Sequence, residues 1–142
     1  MSPIDKKTIT EKLKLLDEVI SKLEKIKAMA AKNFLTDFYI SDAAIRNLTL
    51  GIEIIVDAGN HLLAEKFHDS AKTYKDVIIK LGDNGIVPQE FANENVKMPD
   101  FRNLVIHAYI DLDLDKVYDY LQKAPDIFRQ FAKYFIEFLE KK

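Results

Sequence analysis

Apolar residues recur along this chain at steps of three and four, and almost nothing interrupts them. The first run is Ile9, Leu13, Leu16, Ile20 and Leu23. That spacing places one apolar stripe along a helix, while Lys12, Lys14, Asp17, Glu18, Lys22 and Lys25 occupy the remaining faces as a solvated surface. Only 4 Gly and 4 Pro occur in 142 residues, too little punctuation for a many-stranded fold. With 48% hydrophobic residues, 9 Phe and 6 Tyr, the chain has the material for a folded core. The expectation is an all-α protein: an antiparallel helical bundle of four to five helices forming a single domain over residues 1–142.

Thr8 or Thr10 is placed to cap the first helix. A second helix is expected to begin near Ser41 or Asp42, both good N-cap types. Its stripe runs Ile45, Leu48, Ile52, Ile55, Gly59 and Leu62, and Leu50, Ile54 and Val56 add apolar residues on other sides. Such a helix is central in the bundle or shared with another subunit. Gly51 and Gly59 lower its helix propensity, which hints at close approach of another backbone, as at a dimer interface. A polar connection around Asp69 and Ser70 leads to a short helix with Tyr74, Val77, Ile78 and Leu81 inward. Gly82 suits its left-handed C-terminal position, Asp83-Asn84-Gly85 forms a turn, and Pro88 opens the next helix. That helix carries Phe91, Met98, Phe101 and Val105, with a kink or fresh start at Pro99. The last helix begins near Asp113 or Asp115, bends at Pro125, and buries Tyr118, Leu121, Phe128, Phe131, Phe135 and Phe138.

Composition removes several function classes. A formal charge of −2 is not the global signature of a nucleic-acid-binding protein, so any such contact needs a local basic patch. Without cysteine there is neither disulfide nor thiolate catalysis. No stretch approaches the roughly 20 apolar residues of a membrane span, and the expected location is cytoplasmic. Asp111, Asp113 and Asp115 imitate the opening of a calcium loop, but Lys116 replaces its glycine and Gln122 its closing glutamate. Capping of the last helix is the better account. Asp57, Asn60 and His61 lack a second histidine at metal-ligand spacing, and His68 reads as an exposed loop residue. No metal site and no cofactor are expected.

One constellation survives, the octet from Arg102 to Tyr109. Three Arg stand against eighteen Lys in this chain, so an arginine suggests a need for a planar, permanently charged fork. Histidine is the side chain whose unperturbed pKa lies nearest neutrality. On an ideal helix five residues turn a side chain by about 140°, so Arg102 and His107 do not meet on one continuous helix. A working pair requires the helix to end near His107, or a second subunit to bring its own copy alongside. Seven residues return almost to the start, so Arg102 and Tyr109 share a face. Taken by spacing alone, the octet also fits a surface salt bridge and a histidine at a helix end.

The stretch Phe101-Arg102-Asn103-Leu104-Val105-Ile106-His107-Ala108-Tyr109, followed by Asp115-Lys116-Val117-Tyr118, resembles the HepT-like toxins of the HEPN superfamily. Ala44-Ile45-Arg46-Asn47-Leu48, Asp57-Ala58-Gly59-Asn60-His61, Tyr74-Lys75-Asp76-Val77 and Gly85-Ile86-Val87-Pro88 are similar too, so the likeness covers roughly residues 10 to 130. It implies a HEPN-like bundle, a homodimer with two motif copies facing across a cleft, and metal-independent cleavage of RNA. Arg102 and His107 are then the catalytic residues. Asn103 supports Arg102 or touches the phosphate, and Asp57 orients Arg102 from the neighbouring helix. The resemblance also implies an MntA-type nucleotidyltransferase antitoxin as partner, which adds AMP to Tyr109. Pro99, just before the motif, is a local departure. Two other readings stay open: a non-catalytic helical subunit that presents substrate to a nucleotidyltransferase, and a structural dimeric bundle.

Overall fold

The fold is taken from a computed structural model, which describes the backbone of residues 3–141 and the side chains of residues 6–141. Among these residues the chain forms seven α-helices: α1 (Pro3–Lys27), α2 (Ala31–Thr36), α3 (Phe38–Phe67), α4 (Tyr74–Asp83), α5 (Gln89–Asn95), α6 (Met98–Ala108) and α7 (Leu114–Glu140). A 3-10 turn, Tyr109–Asp111, links α6 to α7. No strand occurs among the described residues.

The expected stripes are the core. Ile9, Leu13, Leu16, Ile20 and Leu23 of α1, Ile45, Leu48, Ile52, Ile55 and Leu62 of α3, and Leu121, Phe128, Phe131 and Phe135 of α7 are all buried. Helix α3 also buries Ile54, Val56 and Ala58, as a helix apolar on several sides must. It packs on α1, α7, α4 and α6 within the same chain.

The bundle is all-α, but the helix count and directions differ from a simple antiparallel array of four or five. Helix α2 lies in a stretch too short to show a period, and it is anchored by the buried Phe34 against Tyr118 at a ring distance of 5.2 Å. The run from Pro88 to Val105 divides into α5 and α6, with Pro99 in the first turn of α6. There the missing N–H costs nothing, because it would have no intrahelical partner. Tyr118 at the start of α7 donates to the Met29 carbonyl just beyond α1, and Leu139 and Glu140 at the end of α7 line a pocket with Lys6 and Thr10, so those two helices run antiparallel. Gly51 meets Phe128, and Phe67 meets Phe138, so α3 and α7 run in the same direction. The crossover made by α4 to α6 returns the chain to the start of α3 before α7 begins.

Several local expectations shift. Thr8 and Thr10 lie inside α1, not at its start, and Thr10 Oγ1 donates to the Lys6 carbonyl at 2.8 Å. Helix α3 is capped by Asp37, whose carboxylate accepts from the Tyr39 N–H at 2.9 Å, leaving Ser41 and Asp42 in its first turns. The left-handed glycine is Gly85 (φ 72°), whereas Gly82 is helical and makes room for Ala92. Asp113 caps α7 through the N–H groups of Asp115 and Lys116, as expected. Helix α7 continues through Pro125, which leaves the Leu121 carbonyl without its usual intrahelical donor. The two α3 glycines are explained within the chain. A Cβ on Gly51 would enter the Phe128 ring, and one on Gly59 would sit 2.9 Å from a Leu81 methyl. Side chains of α7 and α4, rather than a second subunit's backbone, occupy those places.

Candidate active site and tyrosine groove

Helix α6 is a surface helix tied down at its start. Met98 and Pro99 are buried, while Phe101 and Val105 are half-buried against the core. Phe101 lies 5.3 Å from the Tyr120 ring of α7. Lys75 of α4 pairs with Asp100 at 3.5 Å, an exposed contact worth little by itself. The far end of α6 is less covered: Leu104, Ile106 and Ile110 are exposed, the last at 96%. The helix breaks at Ala108, whose φ of −144° and ψ of 39° leave the helical region.

Arg102 points toward α3 and α4. Its Nε donates to Glu53 Oε1 at 3.2 Å, its Nη1 donates to Asn103 Oδ1 at 3.4 Å, and its guanidinium carbon sits 4.8 Å from the Tyr74 ring centroid. A carboxylate on one edge and an aromatic ring fix the plane of the fork and leave N–H groups to bind an anion. Asn103 thus accepts a hydrogen bond from the neighbouring Arg102. Asp57 does not hold Arg102: it lies one turn beyond Glu53 on α3, and its carboxylate pairs with Lys12 of α1. The carboxylate on the arginine is Glu53, because α6 crosses α3 one turn nearer its start.

His107 occupies the last turn of α6 and is exposed. Since α6 stays helical through His107, the turn between Arg102 and His107 is preserved, and no hydrogen bond joins them. The helix does end near His107, but the break at Ala108 follows the histidine and does not turn it toward Arg102.

Tyr109 shares the α3 side of α6 with Arg102, as the seven-residue spacing predicts. Its hydroxyl donates to Asp42 Oδ1 of α3. That bond, with some burial and the Asp42 charge, raises the phenol's pKa above its ordinary value. Two pairs, Arg102 on Glu53 and Tyr109 on Asp42, thus clamp α6 antiparallel along α3. Between them lies a groove of about 310 Å³, lined by Asp42, Arg46, Thr49, Glu53, Val105 and Tyr109. Beyond Glu53 a second cleft of about 490 Å³ is lined by Asp57, Asn60, Lys72, Thr73 and Tyr74.

Glu53, Tyr74 and Asp42 contribute to the site without having been expected there. The signal for Asp42 and Glu53 is a polar row at helical steps along an otherwise buried helix: Asp42, Arg46, Thr49, Glu53, Asp57 and Asn60. Among the described residues no group of three or more His, Asp or Glu side chains converges as a metal site, and no helix is long and apolar enough to cross a membrane.

Comparison with known proteins places this geometry in a family. The chain is 26% identical over 123 residues to the mRNA nuclease HepT of Shewanella oneidensis, covering 87% of this chain and 92% of that protein. It is 26% identical over 145 residues to the tRNA nuclease HepT of Aphanizomenon flos-aquae, covering 99% of each. Among solved structures, the tri-AMPylated Shewanella oneidensis HEPN toxin in complex with MNT antitoxin superposes with a TM-score of 0.84 at 25% identity, over 96% of this chain and 99% of that one. A cytosolic protein of unknown function, YutE from Bacillus subtilis, shares the fold at a TM-score of 0.80 and 21% identity, over 96% of this chain and 91% of that one. The ribonuclease HepT-like family model matches residues 16–135, and the chain belongs to that family.

Proposed function

We propose that this protein is a metal-independent endoribonuclease toxin that acts as a homodimer, with Arg102 and His107 as its catalytic residues, and that an MntA-type nucleotidyltransferase antitoxin silences it by attaching AMP to Tyr109. The observation that carries the reading is the end of α6. A fixed guanidinium, an exposed imidazole and an accessible phenol stand there within eight residues, in a family whose members include an mRNA nuclease and a tRNA nuclease. The Shewanella relative in complex with MNT antitoxin carries AMP, which supports the partner and the modification.

The chemistry follows from the side chains. Cleavage at a phosphodiester by the neighbouring 2′-hydroxyl requires removal of that proton, protonation of the leaving 5′-oxygen, and stabilisation of charge on phosphorus. An imidazole serves as base or acid, and two of them from two subunits serve as both. The free edge of Arg102 meets phosphate oxygens with charge-assisted hydrogen bonds that strengthen as charge develops. The product is a 2′,3′-cyclic phosphate end. Because Arg102 and His107 face apart on one helix, a second copy supplies the missing neighbour. The exposed Leu104, Ile106 and Ile110 beside the motif, with Phe38 and Tyr39 at the start of α3, give such a copy an apolar surface to cover.

A first test is cleavage of RNA in excess chelator. Undiminished activity is expected, and loss that returns with added divalent metal would assign the protein to metal-dependent nucleases instead.

A further inference from the structure

Of the three arginines in the chain, two are committed to carboxylates: Arg102 to Glu53, and Arg129 to Glu24 and Asp126. Arg46 is exposed and has no ion pair with a described residue. It sits one turn beyond Asp42 on α3, about 6 Å further along the axis, and lines the same groove as Tyr109. A chain that uses lysine nearly everywhere else thus presents an unpaired guanidinium fork beside the phenol.

We propose that the α3 turn from Asp42 to Arg46 is a two-position seat for the Tyr109 side chain, with Asp42 holding the free phenol and Arg46 holding the phosphodiester formed when a nucleotide is attached. This rests on Tyr109 being the acceptor. In the transfer, the Tyr109 oxygen bonds to the α-phosphorus of ATP and the bond from that phosphorus to pyrophosphate breaks. The phenol proton passes to Asp42, which already accepts its hydrogen bond, and from there to water. The product has lost its donor and gained a negative charge. It cannot remake the bond to Asp42, and the carboxylate repels it. Arg46 is the cation among the residues lining that groove, and its planar fork matches two phosphate oxygens where a lysine would offer only a point charge. Modification therefore moves Tyr109 along α3 from the carboxylate to the arginine and holds the attached nucleotide over the α3–α6 groove, next to Arg102.

The test uses the full chain labelled with ATP by an MntA-type nucleotidyltransferase, as wild type, Arg46→Ala, Arg46→Lys and Tyr109→Phe. Intact mass and phosphorus NMR are read, with the rate at which a phosphodiesterase removes the AMP. Wild type should protect the diester and show a phosphorus signal displaced from that of a free tyrosyl adenylate. Arg46→Ala should be stripped on the order of tenfold faster, as loss of a charge-assisted contact allows, with the free signal; Arg46→Lys should fall between. Equal stripping rates and signals in wild type and Arg46→Ala overturn the seat while leaving Tyr109 as acceptor. AMP absent from wild type, or persisting on Tyr109→Phe, overturns the acceptor itself. Weaker RNA cleavage by unlabelled Arg46→Ala with unchanged stripping assigns Arg46 to RNA and overturns the seat.

Discussion

Replacing His107 with alanine is expected to lower the rate of RNA cleavage by about 10²–10⁴-fold, the usual worth of a positioned acid or base. Arg102→Ala should lose on the order of 10²-fold, typical for removing one group that stabilises developing charge. His107 is exposed at the last turn of α6, so its truncation opens no cavity and the fold should persist. Arg102 contacts Glu53, Asn103 and the Tyr74 ring, so its loss also frees those groups. A melting curve close to wild type separates loss of chemistry from loss of fold. Cleavage at the wild-type rate in both variants sinks the assignment.

The same two variants decide whether the site spans two subunits. Arg102→Ala retains its histidine, and His107→Ala retains its arginine. If each site takes Arg102 from one subunit and His107 from the other, a mixed dimer contains one complete site and regains activity. If each subunit works with its own pair, the mixture stays inactive. The geometry favours restoration, because α6 is helical from Met98 to Ala108 and the two side chains diverge by about 140° on such a helix.

Much of this site was legible before any coordinates. Arg102 and His107 are scarce residue types, Tyr109 follows at a fixed offset, and the helical period alone puts Arg102 and Tyr109 on one face. Their partners were less legible, because partnership across helices depends on how α6 crosses α3. Asp57 and Glu53 lie on the same polar row four residues apart. Sequence spacing cannot choose between them, whereas the crossing point does, and it selects Glu53. Asp42 is a good N-cap type by residue identity alone, but Asp37, of the same type and five residues earlier, is the one at the helix start. The division of α5 from α6 was legible at Pro99, since a proline inside an apolar period either kinks a helix or restarts it. Helix α2 is not legible in the sequence, because six residues with one buried apolar side chain carry no period.

Gly51 offers the sharpest test of the packing. Exchanging glycine for alanine within a helix that meets nothing raises stability by about 1 kcal/mol. Here the opposite sign is expected. The new methyl would enter the ring of Phe128, which is 0% exposed and has nowhere to retreat. Overfilling a packed core costs about 1–3 kcal/mol. Gly51→Val, bulkier still, should reach about 3 kcal/mol and lower the melting temperature by roughly 10 °C for a domain of this size. The cause is checked by a double-mutant cycle. Phe128→Leu alone should destabilise by about 1–2 kcal/mol, but combined with Gly51→Ala the loss should be smaller than the sum of the two, with a coupling of about 1 kcal/mol. Additive losses would mean that the two residues do not press on each other. A stabilised Gly51→Ala protein would mean that this face of α3 is open, and the glycine would again call for a second subunit to explain it. Gly59 should be more forgiving, because the nearest atoms there are methyls of Leu81 and Val77 that can rotate aside. The two glycines thus predict different penalties on one helix, set by whether the facing group is a rigid ring or a flexible aliphatic chain.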